Sequence, residues 1–360
     1  MNLKNLIRKE ILSQMAYPAE APSCKIKLDA NENPFMLPTS LKESIFEAMK
    51  KIDLNRYPEP GSHRLRDRFA GYYGVEGDML MIGNGSDELI HILCTALTGQ
   101  TLDVIIPVPT FAMYSISALN NGHRVIGVPL DASFDLDLNA ILRHLAQTKA
   151  HPLIFLGYPN NPTGNCFNQQ KIEAIIEQST GIVVVDEAYS PFSGKTFLPF
   201  LNRYENLVIL RTLSKVGLAA MRIGFLIGPA SLIHELDKVR LPYNLNALSQ
   251  VAAAFYLDNK ATFLKQTEEI ISMREELLEA LKEMEGVYPY PSEANFIFFS
   301  CDFDVDSVYN NLIEEDILIK NFNAPGIMRN CMRVTVGNHE ENEEFLAALN
   351  NTIAKVRRVV

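Results

Sequence analysis

The sequence lacks the features of several specialised protein classes. No segment approaches the roughly 18 uninterrupted apolar residues of a transmembrane helix, and charges throughout the first fifteen residues argue against a signal peptide. The five cysteines are scattered without a C-x-x-C motif, as expected for reduced thiols in a cytoplasmic protein. The seven histidines include no i, i+4 pair on a helix. We therefore expect a cytoplasmic protein that needs no membrane and no metal.

Positive charge is also scarce. The chain carries 33 Lys and Arg against 43 Asp and Glu, a net charge of −10. Because nucleic acid is bound by clustered cations, this balance argues against such a partner. It does not exclude a small anionic ligand, which needs only a few local cations and oriented amides. The 360 residues, 47% of them hydrophobic, suit about two globular domains.

Seven short apolar segments alternate with helical segments in the first two thirds of the chain. This rhythm predicts an α/β fold with a mostly parallel sheet covered by helices on both faces. Helices are predicted near residues 40–51 and 61–73. The predicted strands are residues 79–82, 103–108, 124–128, 153–157, 181–186, 207–210 and 224–228.

The pattern of predicted helices and strands changes near residue 240. A long helical stretch over about 246–285 is followed by shorter pieces that lack the βαβ rhythm, which favours a smaller α+β domain. These pieces are NFIFF, a helix over 305–314, ILIKNF, CMRVTV and a final helix. We predict an N-terminal arm (1–35), a large domain (36–240) and a small domain (241–360).

Two charged residues lie at predicted strand ends, where open α/β sheets bind ligands. Asp186 closes the apolar strand GIVVVD, and Lys215 ends the segment RTLSK after the strand LVIL. A lysine in such a loop can form a Schiff base, although a surface lysine is the commoner interpretation. An isolated strand-end Asp is likewise more often a cap or a turn residue.

Two polar turns follow other strands. GNGSDE (83–88) offers free backbone N–H groups to a phosphate at a helix start, or is an ordinary helix cap. YPNNPTG (158–164) forms a rigid turn. Neither dinucleotide nor P-loop binding is expected. Glu88 replaces the third glycine of G-x-G-x-x-G, and Tyr189 replaces the first glycine of a P-loop ending in SGKTF.

The order of these segments resembles the aspartate aminotransferase superfamily, the fold type I pyridoxal-phosphate (PLP) enzymes. Within it, the sequence is most similar to the histidinol-phosphate aminotransferases, and the resemblance runs nearly end to end. It is carried by KLDANENP (27–34), RYPEPGSHRLRDRFAGYYG (56–74), GNGSDELI (83–90), PTFAMY (109–114), YPNNPTG, VVDEAY (184–189), RTLSK, RIGF (222–225), LPYN (241–244), PSEANFIFF (291–299) and MRVTVG (332–337).

The resemblance implies PLP as the cofactor and a set of residues that hold it. Lys215 matches the lysine that bonds covalently to the cofactor, and Asp186 matches the carboxylate that pairs with its ring nitrogen. Tyr189 and Asn161 match the groups that hydrogen-bond its 3′-oxygen, and Phe111 matches the stacked ring. The cofactor phosphate would be bound by the Ser86 and Asp87 amides, the Ser214 hydroxyl, Arg222, and Tyr57 from a second subunit, which implies a homodimer with composite sites.

Substrate binding is expected from the C-terminal part of the chain. Arg333 matches the arginine that binds the substrate's anionic end, with Lys320 as a second cation and Asn161 nearby. Lys320 departs from the pattern, because most histidinol-phosphate aminotransferases have Arg there and lysine lacks its planar fork. The spacing from Lys215 to Arg222 is also one residue short, so the intervening loop must be tighter.

The implied reaction is transfer of an amino group from histidinol phosphate to 2-oxoglutarate, giving imidazole acetol phosphate and glutamate, a step of histidine biosynthesis. Three alternatives remain open on the sequence. They are an aromatic amino-acid aminotransferase, a phosphothreonine decarboxylase, and a PLP-binding regulatory or scaffold protein without turnover. The intact set of Lys215, Asp186, Asn161, Tyr189 and Arg222 disfavours the last.

Overall fold

A computed structural model describes residues 3–14, 22–97, 102–148 and 151–357. A seven-stranded sheet forms the centre of the molecule. The strands in these ranges are β1 (Ile26–Lys27), β2 (Leu80–Asn84), β3 (Asp103–Val108), β4 (Arg124–Pro129), β5 (Leu153–Gly157), β6 (Ile182–Asp186), β7 (Leu207–Thr212), β8 (Ile223–Ile227), β9 (Val287–Pro289), β10 (Phe296–Cys301), β11 (Ile317–Leu318), β12 (Lys320–Asn321) and β13 (Cys331–Thr335). The α-helices are α1 (Lys9–Leu12), α2 (Thr39–Met49), α3 (His63–Tyr73), α4 (Ser86–Ala96), α5 (Met113–Asn120), α6 (Leu138–Gln147), α7 (Gln169–Gln178), α8 (Ser190–Ser193), α9 (Ala230–Asp237), α10 (Ala247–Asp258), α11 (Lys260–Lys282), α12 (Val305–Glu314) and α13 (His339–Arg357).

The large sheet has the strand order β2-β8-β7-β6-β5-β3-β4. Strand β8 runs antiparallel to both of its neighbours, and the other pairs are parallel. Successive side chains of β5 enter two different cores: Ile154 and Leu156 on one face of the sheet, Leu153 and Phe155 on the other. Both faces are therefore covered, which explains why the strands are continuous apolar runs. The predicted α/β fold with a mostly parallel sheet is confirmed.

A second, antiparallel sheet is built from the C-terminal part of the chain, in the order β12-β13-β10-β9. Helices α11, α12 and α13 pack with it around a core of its own, which includes Phe296, Phe299 and Phe345. The N-terminal strand β1 pairs in parallel with β11. Residues 22–31 thus reach the C-terminal part of the molecule. The predicted domain boundary near residue 240 falls between the two sheets and stays a prediction.

Two predicted elements differ from the structure. The single helix expected over 246–285 is broken at Asn259 into α10 and α11, where the backbone leaves the helical conformation (φ −121°, ψ 22°) and the Asn259 side-chain amide donates to the Phe255 carbonyl (2.9 Å). The segment ILIKNF forms two short strands, β11 and β12, instead of one. Its first half pairs with β1 and its second half with β13, so the chain changes sheets at Ile319.

The part of the chain that the structure describes shows neither a membrane span nor a metal cluster. In those residues no helix combines the length and the apolarity required to cross a bilayer. The same residues contain no cluster of three or more His, Cys, Asp or Glu side chains with the geometry of a metal site. All five cysteines are free thiols.

Candidate active site

A cavity of about 440 Å³ opens at the carboxyl ends of β5, β6 and β7, where the strands end at Gly157, Asp186 and Thr212. This is the edge at which open α/β sheets bind their ligands. The cavity collects residues from segments that are far apart in sequence. It is lined by eleven of the residues that the sequence predicted: Ser86, Asp87, Phe111, Asn161, Asp186, Tyr189, Ser214, Lys215, Arg222, Lys320 and Arg333.

Asp186 is the last residue of β6 and is only 5% exposed. Its carboxylate accepts hydrogen bonds from the Tyr114 hydroxyl (2.7 Å) and from the backbone N–H of Ala188 (3.0 Å). Burial raises the pKa of Asp186 to about 6, against the opposing effect of these two bonds. The cationic partner expected for such a carboxylate is not found among the described residues. The site can therefore accept a protonated nitrogen from a ligand.

The neighbouring carboxylate, Glu187, stabilises the end of this strand from outside the cavity. It is fully buried and paired with Arg211 at 2.6 Å, and it accepts a hydrogen bond from the backbone N–H of Phe197. The Arg211 guanidinium also lies 4.9 Å from the centre of the Tyr73 ring. A buried, fully bonded ion pair of this kind is strongly destabilised when one partner is removed. It holds the β6 and β7 ends, and hence Asp186, in position.

Lys215 lies in the turn that follows β7 and points into the cavity. Its Nζ donates to the backbone carbonyl of Ala30 (3.2 Å) and lies 5.8 Å from the centre of the Tyr189 ring. No carboxylate of the described ranges forms an ion pair with it, which leaves the amine available for a covalent bond to a ligand. Gly217 adopts φ +110° in the same turn, a conformation that suits glycine. The short loop before Arg222 is accommodated by this turn.

The start of α4 forms an anion-binding corner of the cavity. The backbone approaches β8 so closely that a Cβ on Gly224 would lie 2.4 Å from the Ser86 nitrogen. Arg222 adopts φ +51° and its guanidinium pairs with Asp87 at 2.7 Å. The Ser214 hydroxyl, which accepts a hydrogen bond from Thr212 (3.0 Å), lines the same cavity. Free helix-start amides, a hydroxyl and an arginine together suit a phosphate dianion.

Two side chains of the cavity are oriented by their neighbours. The Asn161 side-chain oxygen accepts a hydrogen bond from Arg333, so its NH₂ group remains as a donor. The Tyr189 hydroxyl oxygen accepts a hydrogen bond from the Asn31 side chain (2.8 Å). Phe111 forms one wall, in edge-to-face contact with Tyr114 at 5.6 Å.

Lys320 and Arg333 lie side by side on the second sheet. They are direct partners in the antiparallel pair β12–β13, so their side chains leave the same face. Arg333 is buried between the rings of Phe296 and Phe322, at 5.1 and 5.4 Å. Lys320 is exposed and forms no ion pair within the described residues. Two adjacent cations therefore face the cavity that contains Lys215.

Tyr57 lies outside the cavity of its own chain. Its side chain is 81% exposed and its ring stacks on Tyr243 at 4.5 Å. A large aromatic residue so exposed is suited to an interface with another chain. Its assignment to the phosphate of a neighbouring subunit stays a prediction, as do the roles of the eleven cavity residues.

Sequence reasoning missed two residues that hold the site together. Tyr114 bonds Asp186, and Asn31 bonds Tyr189. Both occur in segments that carried the resemblance, PTFAMY and KLDANENP. A tyrosine three residues after Phe111, in the first turn of α5, could have been recognised as facing the same side as Phe111. Nothing in the sequence indicates that an asparagine near residue 30 contacts a tyrosine at 189.

Comparison with known proteins identifies the family. Residues 23–349 match the family described as aminotransferase class I and II. The chain is 43% identical to histidinol-phosphate aminotransferase 2 of Nitrosococcus oceani, over 95% of this chain and 96% of that protein. It is 40% identical to histidinol-phosphate aminotransferase of Aquifex aeolicus, over 97% and 98%.

A solved structure shares the fold. The histidinol-phosphate aminotransferase from Sinorhizobium meliloti, in complex with pyridoxal 5′-phosphate, superposes with a TM-score of 0.88 at 23% identity, covering 97% of this chain and 98% of that one. At that identity the likeness shows the fold alone. The match over most of the chain, together with relatives of about 40% identity, shows that this protein belongs to the aminotransferase class I and II family.

Proposed function

We propose that the protein is a PLP-dependent histidinol-phosphate transaminase. It transfers the amino group of histidinol phosphate to 2-oxoglutarate and yields imidazole acetol phosphate and glutamate. The observation that carries this proposal is that one cavity unites Lys215 and the buried Asp186 with two adjacent cations, Lys320 and Arg333. Relatives about 40% identical over nearly their whole length bear the same name.

The cavity has the chemistry that PLP requires. Lys215 would hold the cofactor covalently, and the phosphate would lie at the start of α4 with Ser214 and Arg222. The buried Asp186 carboxylate, which no cation of the described residues pairs with, fits the protonated ring nitrogen. When bound, PLP supplies an electron sink that stabilises negative charge on the substrate carbon next to the amine.

The protein's own groups hold and move the protons of the reaction. The Lys215 amine would accept the proton from the substrate carbon and donate a proton back on the cofactor side. Asp186 would stabilise a proton on the ring nitrogen. The Asn161 amide and the Tyr189 hydroxyl would donate hydrogen bonds to the ring oxygen, and Arg333 orients Asn161 to do so.

The two cations decide the substrate class. A phosphate ester is a dianion, and each charge-assisted hydrogen bond to it is worth about 1.5–3 kcal/mol. A carboxylate needs one strong cation, which the buried Arg333 supplies alone. Lys320, exposed and without an ion pair in the described ranges, is then available for the second charge of a phosphate. The alternative activity, transamination of aromatic amino acids, would use Arg333 and leave Lys320 in solvent.

The active form is proposed to be a cytoplasmic homodimer. The exposed Tyr57, stacked on Tyr243 at the surface, is available to reach the phosphate site of a partner subunit. The five free thiols are compatible with a reducing compartment.

Substitution of Lys320 tests the substrate assignment. Lys320→Ala should lower kcat/KM for histidinol phosphate roughly ten- to a hundredfold, the loss of one charge-assisted bond, and barely change the value for phenylalanine. Lys320→Arg should preserve or improve use of the phosphate substrate. Lys282→Ala, which removes an exposed lysine of α11, is the matched control. Equal losses on both substrates, or none on either, would shift the function to the aromatic aminotransferase.

A further inference from the structure

Asn31, which lies in a segment without helix or strand, is buried and held by several hydrogen bonds. Its side chain is 1% exposed and its backbone has φ +55°, a left-handed conformation that asparagine tolerates. Its backbone N–H donates to the Thr335 hydroxyl (3.0 Å), and its carbonyl accepts from the Asn295 side chain (3.0 Å). Bonds with the last residue of β13 and with the residue before β10 thus hold it in place.

These bonds also determine which way the Asn31 amide faces. The Thr335 hydroxyl donates its proton to the Asn31 side-chain oxygen (3.2 Å), so that the NH₂ group is the end that meets the Tyr189 hydroxyl at 2.8 Å. The orientation therefore follows from a chain of donors and acceptors that begins at Thr335. A flipped amide would leave the Thr335 hydroxyl proton without an acceptor among the described residues, because that hydroxyl already accepts from the Asn31 backbone N–H.

The direction of these hydrogen bonds has a consequence for Tyr189. A phenol has one proton to donate, and an NH₂ group cannot accept it. The Tyr189 oxygen therefore receives a hydrogen bond from Asn31, and its own proton must point elsewhere. Tyr189 is buried and lines the cavity beside Lys215, so the cavity is the place where that proton finds an acceptor.

We propose that Asn31 is a positioning residue that compels Tyr189 to donate its hydroxyl proton to the ring oxygen of the cofactor. The inference rests on the proposed function, since it requires PLP in the cavity. Asn31 does not touch the reacting atoms. It acts through Tyr189, as Arg333 acts through Asn161, and the ring oxygen thereby meets two groups that are both fixed as donors.

Two substitutions separate this role from that of a structural tether. Asn31→Asp keeps the shape and replaces the NH₂ donor by an acceptor, so Tyr189 turns its proton toward residue 31 and away from the cofactor. Asn31→Gly removes the side chain without straining φ +55°, and Tyr189 remains free to donate into the cavity. If Asn31 were only a structural tether, activity would fall further in Asn31→Gly, which loses the side-chain hydrogen bonds, than in the isosteric Asn31→Asp.

The expected magnitudes follow from the bonds lost. Asn31→Gly loses one neutral hydrogen bond, which should lower kcat roughly two- to tenfold. Asn31→Asp loses the donor to a negatively charged oxygen and should lower kcat roughly ten- to a hundredfold, with a smaller effect on KM. Without the hydrogen bond from Tyr189, the ring oxygen would hold the proton that it shares with the Lys215 nitrogen more tightly. The pKa of the cofactor bound to Lys215 should therefore rise by roughly one to two units in Asn31→Asp and by less in Asn31→Gly.

The experiment measures steady-state kinetics and the pH titration of the visible absorption band of the holoenzyme for the wild type and both variants. Asn206→Asp is the matched control, because that amide donates to three backbone carbonyls (Ile176, Ser179 and Gly181) next to the amino ends of β6 and β7 and should leave the band's pKa unchanged. A larger loss and a larger pKa rise in Asp than in Gly support the inference. Equal effects, or a larger effect of Gly, overturn it while the proposed function stands. Absence of a Lys215-bound band in the wild type overturns the proposed function instead.

Discussion

Replacing Asp186 by Asn should stabilise the cofactor-free protein while abolishing its activity. The pKa of Asp186 is raised to about 6 because the carboxylate is buried, against about 3.9 in an unfolded chain. Ionising it in the folded state is thus opposed by about two pH units, or about 3 kcal/mol at 1.36 kcal/mol per unit. Asn carries no such penalty. It can accept from the Ala188 N–H and donate to the Tyr114 oxygen, so two hydrogen bonds remain and the one with Tyr114 reverses its direction.

The sign of the pH dependence distinguishes this explanation from a general effect of the substitution. Below about pH 4 the carboxyl is protonated in both states, and the two proteins should be about equally stable. Between about pH 4 and pH 6 the unfolded chain ionises while the folded one retains its proton, so the wild type loses stability relative to the Asp186→Asn variant over that window. Above about pH 6 the difference should be constant at about 3 kcal/mol.

Urea unfolding of the two cofactor-free proteins, at equal protein concentration and at pH 4, 5, 6 and 7.5, measures this difference. Asp103→Asn is a control of opposite sign, because Arg124 at 2.6 Å holds the pKa of Asp103 below its usual range. That variant should be less stable than the wild type at pH 7.5. A stability difference for Asp186→Asn that is independent of pH, or a variant less stable at pH 7.5, would refute the assignment of a desolvated carboxylate. Added PLP should reverse the order by stabilising the wild type more.

Two further predictions concern the cofactor and the assembly. Lys215→Ala should retain PLP through the α4 and Asp186 contacts but form no covalent bond and show no turnover. Borohydride reduction of the wild type followed by peptide mapping tests the assignment. A pyridoxyl group on another lysine would contradict it. Mixing inactive Lys215→Ala with inactive Tyr57→Ala chains should restore part of the activity, because a hybrid dimer contains one intact site. No recovery, under conditions in which labelled subunits demonstrably exchange, would mean that each site is built within one chain.

Local patterns predicted the large sheet well because its strands are short apolar runs bounded by turns. The structure places β3 and β5 at the residues that the pattern indicated, and helix α12 begins and ends as predicted. Elements whose form depends on distant partners were predicted less well. The segment around Ile319 divides between two sheets because its first half pairs with β1 and its second half with β13, and the long helix is interrupted where Asn259 leaves the helical conformation.

The same distinction applies to the site. Residues expected to contact the cofactor or the substrate directly could be located from the resemblance, and eleven of them line one cavity. Those that act through another residue could not. Asn31 and Tyr189 are separated by 158 positions, and the bond between them depends on Thr335 for its direction. Asp186 was located at the end of its apolar strand, but its partners, a phenol and a backbone amide, were not predicted.

Rapid-mixing absorbance spectra of the PLP-loaded protein test the central claim most directly. Histidinol phosphate, phenylalanine and phosphothreonine would each be mixed with the enzyme in the absence of a keto acid, so that only the first half of the reaction takes place. We expect histidinol phosphate to convert the bound cofactor to its amino form fastest and at the lowest concentration, followed by recovery of the original band when 2-oxoglutarate is added. Faster conversion by phenylalanine, or release of CO₂ from phosphothreonine without accumulation of the amino form, would contradict the account.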